Sequence, residues 1–136
     1  MSGNLSPQTR LKLATLQGMA DRVQHVHGMV ERYAATRSES HAQMLVLPLK
    51  RAFGQLKLDL MGSGFDAMSQ LAGSMEIAAG RGSRRQRIRV LREGVGSLRF
   101  QVEQEQRKLI SDDRAAQEAE ERERASGPAE EPRPDA

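Results

Sequence analysis

The chain has no cysteine and no tryptophan, and its aromatic residues are one tyrosine and three phenylalanines. Without cysteine, disulfides, thiolate metal sites and cysteine nucleophiles are all excluded. With so few aromatics, a core must be built from Leu, Val, Ile, Met and Ala. Stacking of bases on aromatic platforms then cannot dominate any binding of single strands. No apolar run approaches the roughly 20 residues that span a bilayer. The opening Met1-Ser2-Gly3-Asn4-Leu5-Ser6-Pro7 lacks the charged-then-apolar layout of a signal peptide. The expectation is a cytoplasmic protein without a membrane partner. Nothing alternates at period two over a useful length, so no strands are predicted.

Catalytic signatures are also missing. There is no phosphate-loop glycine pattern, no His-Glu-x-x-His and no Glu-x-x-His pair of the di-iron bundle kind. His25 and His27 are two apart, so on a helix they point to different sides and make a poor metal pair. Catalysis needs converging groups with tuned pKa values. The expectation is therefore a protein that is not an enzyme and carries no cofactor or metal.

What is present is charge, unevenly placed. The 136 residues carry a net charge of +3. Residues 1–111 hold 17 Lys and Arg against 9 acids, whereas residues 112–136 hold 4 Arg against 9 acids. A basic body with an acidic tail is a layout common in nucleic-acid-associated proteins.

Apolar spacing predicts four helices. Ser6 caps and Pro7 opens the first, over about 7–34, with a stripe of Leu16, Met19, Val23, Val26, Val30 and Tyr33. Gly18 and Gly28 cost that helix about 1 kcal/mol each against alanine, which suggests sites of close packing. The second runs over about 40–61, capped by Ser38 or Ser40, with a stripe of Leu45, Leu49, Ala52, Leu56 and Leu60. Pro48 is expected to kink it. Gly62-Ser63-Gly64 leads to a third helix over about 65–79, with Phe65, Met68, Leu71, Ala72, Met75 and Ala79 on its stripe. Ser83 caps the fourth, with Gln86 three residues on as its capping-box partner. Ile88, Leu91, Val95, Leu98, Val102 and Leu109 then hold a three-four spacing. Gly94 and Gly96 suggest tight packing near Gly96-Ser97. Short connections imply an antiparallel, up-down four-helix bundle over residues 7–111. Residues 1–6 are expected to be flexible. The acidic, Pro-containing stretch 112–136 is expected to extend the helix and then to be disordered.

The one constellation above background is basic. Arg81, Arg84, Arg85, Arg87, Arg89, Arg92 and Arg99 face a single acid, Glu93, over that span. A cationic helix start opposes the helix dipole, so these arginines are expected to serve something outside the fold. Phosphate oxygens suit the planar arginine fork. On a helix, Arg85, Arg89 and Arg92 share one side, and Arg84 and Arg87 form a second row. The seven are the candidate nucleic-acid-binding residues, with binding driven by the phosphate backbone and sensitive to salt. The alternatives are a solvated face, or pairing with an acidic protein partner. The acidic tail is a further candidate to fold back onto this basic face.

Ile77-Ala78-Ala79-Gly80, Arg81-Gly82-Ser83, Ile88-Arg89-Val90-Leu91-Arg92 and Gly96-Ser97-Leu98 together resemble a family of small four-helix bundles. It comprises the products of intervening sequences in large-subunit ribosomal RNA genes and the accessory variability determinant (Avd) proteins of diversity-generating retroelements. The likeness covers about residues 66–105. Ala79 stands where the family often has Glu, and Glu76 where Asn is common. The resemblance implies a homo-oligomer, a pentamer with a positive surface, that binds RNA or DNA and the element's reverse transcriptase in mutagenic retrohoming. The intervening-sequence relatives are of obscure function; the alternative is a bundle of that type serving as a protein–protein scaffold with an acidic partner.

Overall fold

A computed structural model describes residues 4–126 of the chain. Those residues form four helices and no strand: α1 (Pro7–Ala35), α2 (Glu39–Gly62), α3 (Asp66–Ala78) and α4 (Arg84–Ser126). The arrangement is consistent with a four-helix bundle. Each helix packs on the next in sequence, and α4 packs back on α1. Among the described residues, no close backbone approach joins α1 to α3 or α2 to α4. None of these helices is long and apolar enough to cross a membrane.

Helix starts follow their caps. The Ser6 hydroxyl accepts the Thr9 amide at 3.2 Å, with Pro7 in the first turn. Ser38, rather than Ser40, caps α2, accepting from the His41 amide. At α4 the capping box is reciprocal. The Gln86 amide donates to the Ser83 hydroxyl at 3.2 Å, and the Ser83 amide donates to Gln86 Oε1 at 3.1 Å. These caps satisfy amides that the helix starts leave without partners. Gly64 and Gly82 carry φ of +83° and +76°. They sit in the α2–α3 and α3–α4 connections, in a region that glycine enters at little cost.

The core is aliphatic, as the shortage of aromatics requires. The α1 stripe from Leu16 to Tyr33 is buried throughout, and Leu91, Val95, Leu98 and Val102 of α4 meet it. Each such side chain removed from water contributes about 1.5–3 kcal/mol before entropy is counted. Pro48 sits inside α2, on its exposed side, and the helix continues through it. The buried face of α2 is Ala42, Val46, Leu49, Phe53, Leu56 and Leu60. Leu45 and Ala52 only flank it. Leu49, Leu56 and Leu60 of the expected stripe are thus on the buried face, and the expectation missed Ala42, Val46 and Phe53.

Of the glycines expected to mark close packing, Gly94 does and the others do not. A side chain added at Gly18, Gly28 or Gly96 would meet open space. Gly94 instead lies directly under the thioether of Met75, which is 1% exposed, and lets α3 approach α4.

α4 is 43 residues long against 29 for α1. At about 1.5 Å per residue it therefore exceeds α1 by about 20 Å. Asp113, only 8% exposed, ties it to the start of α1. Its carboxylate accepts the Thr9 hydroxyl at 2.8 Å and faces the Ser6 amide at 3.4 Å. Gln117 Nε2 donates to Asp113 at 2.8 Å and to the Asn4 carbonyl at 2.7 Å. A carboxylate at a helix N-terminus is favoured by the helix dipole. The Thr9 and Ser6 bonds hold the Asp113 carboxyl below its usual range, outweighing the opposing effect of burial. The expected boundary at residue 111 falls inside α4. Of the stretch 1–6 expected to be flexible, Asn4 and Ser6 are bonded to α4 in this way. The tail expected to be disordered lies outside the described residues beyond Ser126.

Candidate nucleic-acid interface

The loop Ala79–Ser83 and the first turns of α4 place the arginine cluster at the end of the molecule that also carries the α1–α2 turn. The seven arginines do not act alike. Arg84 turns inward: its side chain is 19% exposed and lies across the end of α1. Its Nη2 donates to the Tyr33 carbonyl at 2.8 Å and to the Thr36 carbonyl, and Nη1 reaches Glu39 at 3.4 Å. Its guanidinium stands 5.5 Å from the centre of the Tyr33 ring. A cation over the last carbonyls of a helix satisfies orphan acceptors and the negative end of the dipole. Its buried Nε has no partner, so the clamp is not fully compensated.

Arg87 is also half-buried. Its Nε donates to the Arg81 carbonyl at 3.1 Å and its Nη1 to the Tyr33 hydroxyl at 3.4 Å. It fixes the loop that carries Arg81. Arg92 is paired, donating through two nitrogens to both oxygens of Glu31, at 2.8 and 2.9 Å. The pair raises the affinity of Arg92 for its proton and lowers the Glu31 carboxyl, chiefly through these hydrogen bonds.

Arg81, Arg85, Arg89 and Arg99 are exposed and make no ion pair among the described residues. Arg99 stands apart from the other three, in a cleft with Asp21 and Glu103. Arg81, Arg87 and Arg89 border a groove of about 530 Å³ between α3 and α4. Its floor includes Ile77 and Val90, which are 53% and 44% exposed. The structure thus leaves Arg85 and Arg89 exposed and unpaired on α4, while Arg84, Arg87 and Arg92 are engaged by α1.

Three basic residues at the same end escaped the sequence reading. Arg37 lies in the α1–α2 turn, next to the Thr36 carbonyl that holds Arg84. Arg32 is in the last turn of α1. The Lys50 ammonium lies against Gly80 at the start of the α3–α4 loop. Their distance in sequence from Arg81 hid them, and a helix-end rule placing basic residues in last turns would have found Arg32.

The acidic segment does not fold back over its described length. α4 is one helix to Ser126, which places Glu118 about 50 Å along the axis from Arg84. The carboxylates of Glu118, Glu120, Glu121 and Glu123 therefore cannot screen the basic end of their own chain. The molecule is a charge dipole, basic at one end and acidic at the tip of α4. No three His, Asp or Glu side chains converge to hold a metal among the described residues.

No protein-family model matches the chain, and neither a curated protein nor a solved structure does.

Proposed function

We propose that the protein is a non-enzymatic, nucleic-acid-binding accessory factor of the Avd type, a homo-oligomer assisting a reverse transcriptase in the cytoplasm. The observation that carries this reading is the division of labour within the arginine cluster. Arg84 and Arg87 hold the loop and helix start in place, and Arg81, Arg85 and Arg89 present uncommitted charge to solvent. Arg37 and Lys50 widen the same positive end. The helices run alternately up and down in this reading. Contacts between the start of α1 and Asp113, and between Glu31 late in α1 and Arg92 early in α4, support antiparallel pairing of these two.

Three free arginines on phosphates give a slope of log affinity against log salt of about −2 to −3, depending on strandedness. The test is filter binding of a structured RNA and a DNA duplex across salt concentration. Arg81→Ala/Arg85→Ala/Arg89→Ala is expected to abolish most of that slope without loss of helicity. Unchanged binding in that variant would refute the interface. A particle mass that shifts on adding RNA, measured by light scattering, separates an oligomeric accessory factor from a monomer indifferent to RNA.

The groove favours one second reading, a scaffold for an acidic protein partner. Ile77 and Val90 form an apolar floor beside arginines, which suits an amphipathic acidic helix better than a phosphate backbone. Binding that survives Arg85→Ala but fails with Val90→Asp would select it.

A further inference from the structure

The outward face of α2 carries a second apolar stripe that the bundle leaves unused. Met44, Leu47, Leu58 and Met61 are 72%, 53%, 59% and 50% exposed. They occupy alternating three- and four-residue steps, with Arg51 and Gly54 filling the two central positions. This is the spacing of a helix–helix seam. It runs for about 25 Å along α2. A solvated helix face has no need of four large apolar residues in register.

Gly54 does not leave its position empty. The carboxylate of Glu76, reaching across from α3, lies where the glycine's side chain would be, with Oε2 2.8 Å from an ideal Cβ. Along the seam the surface therefore reads Met, Leu, arginine, carboxylate, Leu, Met. Neither Arg51 nor Glu76 forms an ion pair within the described chain. Lys50 and Lys57, one turn to either side of Gly54, are directed over Gly80 and Gly73, and neither forms an ion pair with Glu76.

That order is its own complement when reversed. Turning α2 about the midpoint between Ala52 and Phe53 exchanges Met44 with Met61, Leu47 with Leu58, and Arg51 with Gly54. We infer that this face pairs with the same face of a second copy, antiparallel and about a two-fold axis. Met44 then meets Met61 of the partner subunit, and Leu47 meets the partner's Leu58. Arg51 lies over the partner's Gly54 and meets the partner's Glu76. The ion pair forms twice by symmetry, as an isologous contact requires. Parallel pairing would set Arg51 against its own copy and leave both Glu76 carboxylates unmatched. The charges thus fix direction and register, and the four apolar pairs supply the driving force.

The contact is independent of nucleic-acid binding, because it uses none of the α4 arginines. It closes on itself, so it gives a dimer, or joins two rings face to face if the chain also assembles into rings.

One helix on one helix is a small interface, in the size range of transient complexes. Dissociation is therefore best read over a wide concentration range by sedimentation velocity. Leu47→Glu/Leu58→Glu should halve the particle mass with helicity unchanged. Arg51→Glu should weaken association about tenfold or more, and Arg51→Glu/Glu76→Arg should restore it. The absence of native cysteine makes register directly readable. Leu47→Cys mixed with Leu58→Cys should form an intermolecular disulfide on mild oxidation, and neither variant alone should do so. A particle mass unaltered by the glutamates would overturn the inference. So would cross-linking of Leu47→Cys with itself, which reports a parallel or different contact.

Discussion

Arg84 and Arg89 are five residues apart in one basic run, yet the structure gives them opposite tasks, and alanine substitution separates them. Arg84→Ala removes a charged donor from the Tyr33 and Thr36 carbonyls and a cation from the Tyr33 ring. Hydrogen bonds to a charged group contribute about 1.5–3 kcal/mol each, and the ring contact about 0.5–1 kcal/mol. Two effects reduce the total. The carbonyls at the end of α1 gain water once the guanidinium leaves, and the unpartnered Nε no longer has to be buried. A net loss of about 2–3 kcal/mol remains. For about 120 residues, an unfolding entropy of about 2.1 cal/mol/K per residue makes 1 kcal/mol equal to about 4 °C. Arg84→Ala should then lower Tm by about 8–12 °C, read by circular dichroism. Arg84→Lys should recover only part of this, since an ammonium cannot span both carbonyls and stack on the ring. Arg89→Ala should leave Tm within about 2 °C, as a free surface residue does, while weakening RNA binding. Equal melting temperatures for the two variants, with equal losses of binding, would refute the division between clamp and contact.

Gly94→Ala forces a methyl into the Met75 thioether, an overpacking cost of about 1–3 kcal/mol that outweighs the helix gain of about 1 kcal/mol. Gly28→Ala, facing open space, should instead raise Tm, and calorimetry of the pair checks both signs. Asp113 has a folded pKa below its unfolded value, so its stabilisation is present above the unfolded pKa. It is lost as pH falls through the folded one. Asp113→Asn should therefore be less stable than the parent at pH 7, and the difference should shrink as pH is lowered below about 4. Thermal melts at pH 7 and pH 3 compare them. Glu31→Ala releases Arg92 to the outward face of α4. It should raise nucleic-acid affinity about twofold to fivefold at low salt with little change in Tm, since exposed ion pairs contribute little. Filter binding reads the gain.

The helices were legible because their signals are local. Ser6-Pro7, Ser83 with Gln86, and the stripes from Leu16 to Tyr33 and from Leu91 to Val102 each sit within a few turns, and each maps directly onto the structure. The α2 stripe was less legible because α2 has two. Leu49 and Leu56 belong to the buried face, but Leu45 and Ala52 only flank it, so spacing alone drew a line along its edge. That Gly94 and not Gly18, Gly28 or Gly96 is the close contact, and that Asp113 is a latch, depend on neighbours in another helix, which no local pattern encodes. The basic end was visible as a run of arginines. Which of those arginines were already committed was not, because the carbonyls of Tyr33 and Thr36 and the carboxylate of Glu31 are about 50 to 60 residues away.

The latch between Ser6, Thr9 and Asp113 also sets an order of events during synthesis. Of the four helices α1 leaves the ribosome first, and the α4 residues that cover its stripe and hold its first turn emerge last. At about 5–20 residues per second, α1 waits several seconds with Leu16 through Tyr33 uncovered on one side. α2 and α3, close in sequence, can pair as soon as both have emerged, so this local contact forms before α4 packs on α1. A chain stalled before residue 91 would present the α1 stripe to whatever else is nearby. The long-range latch thus makes completion of α4 the step at which the basic end and the core become a single folded unit.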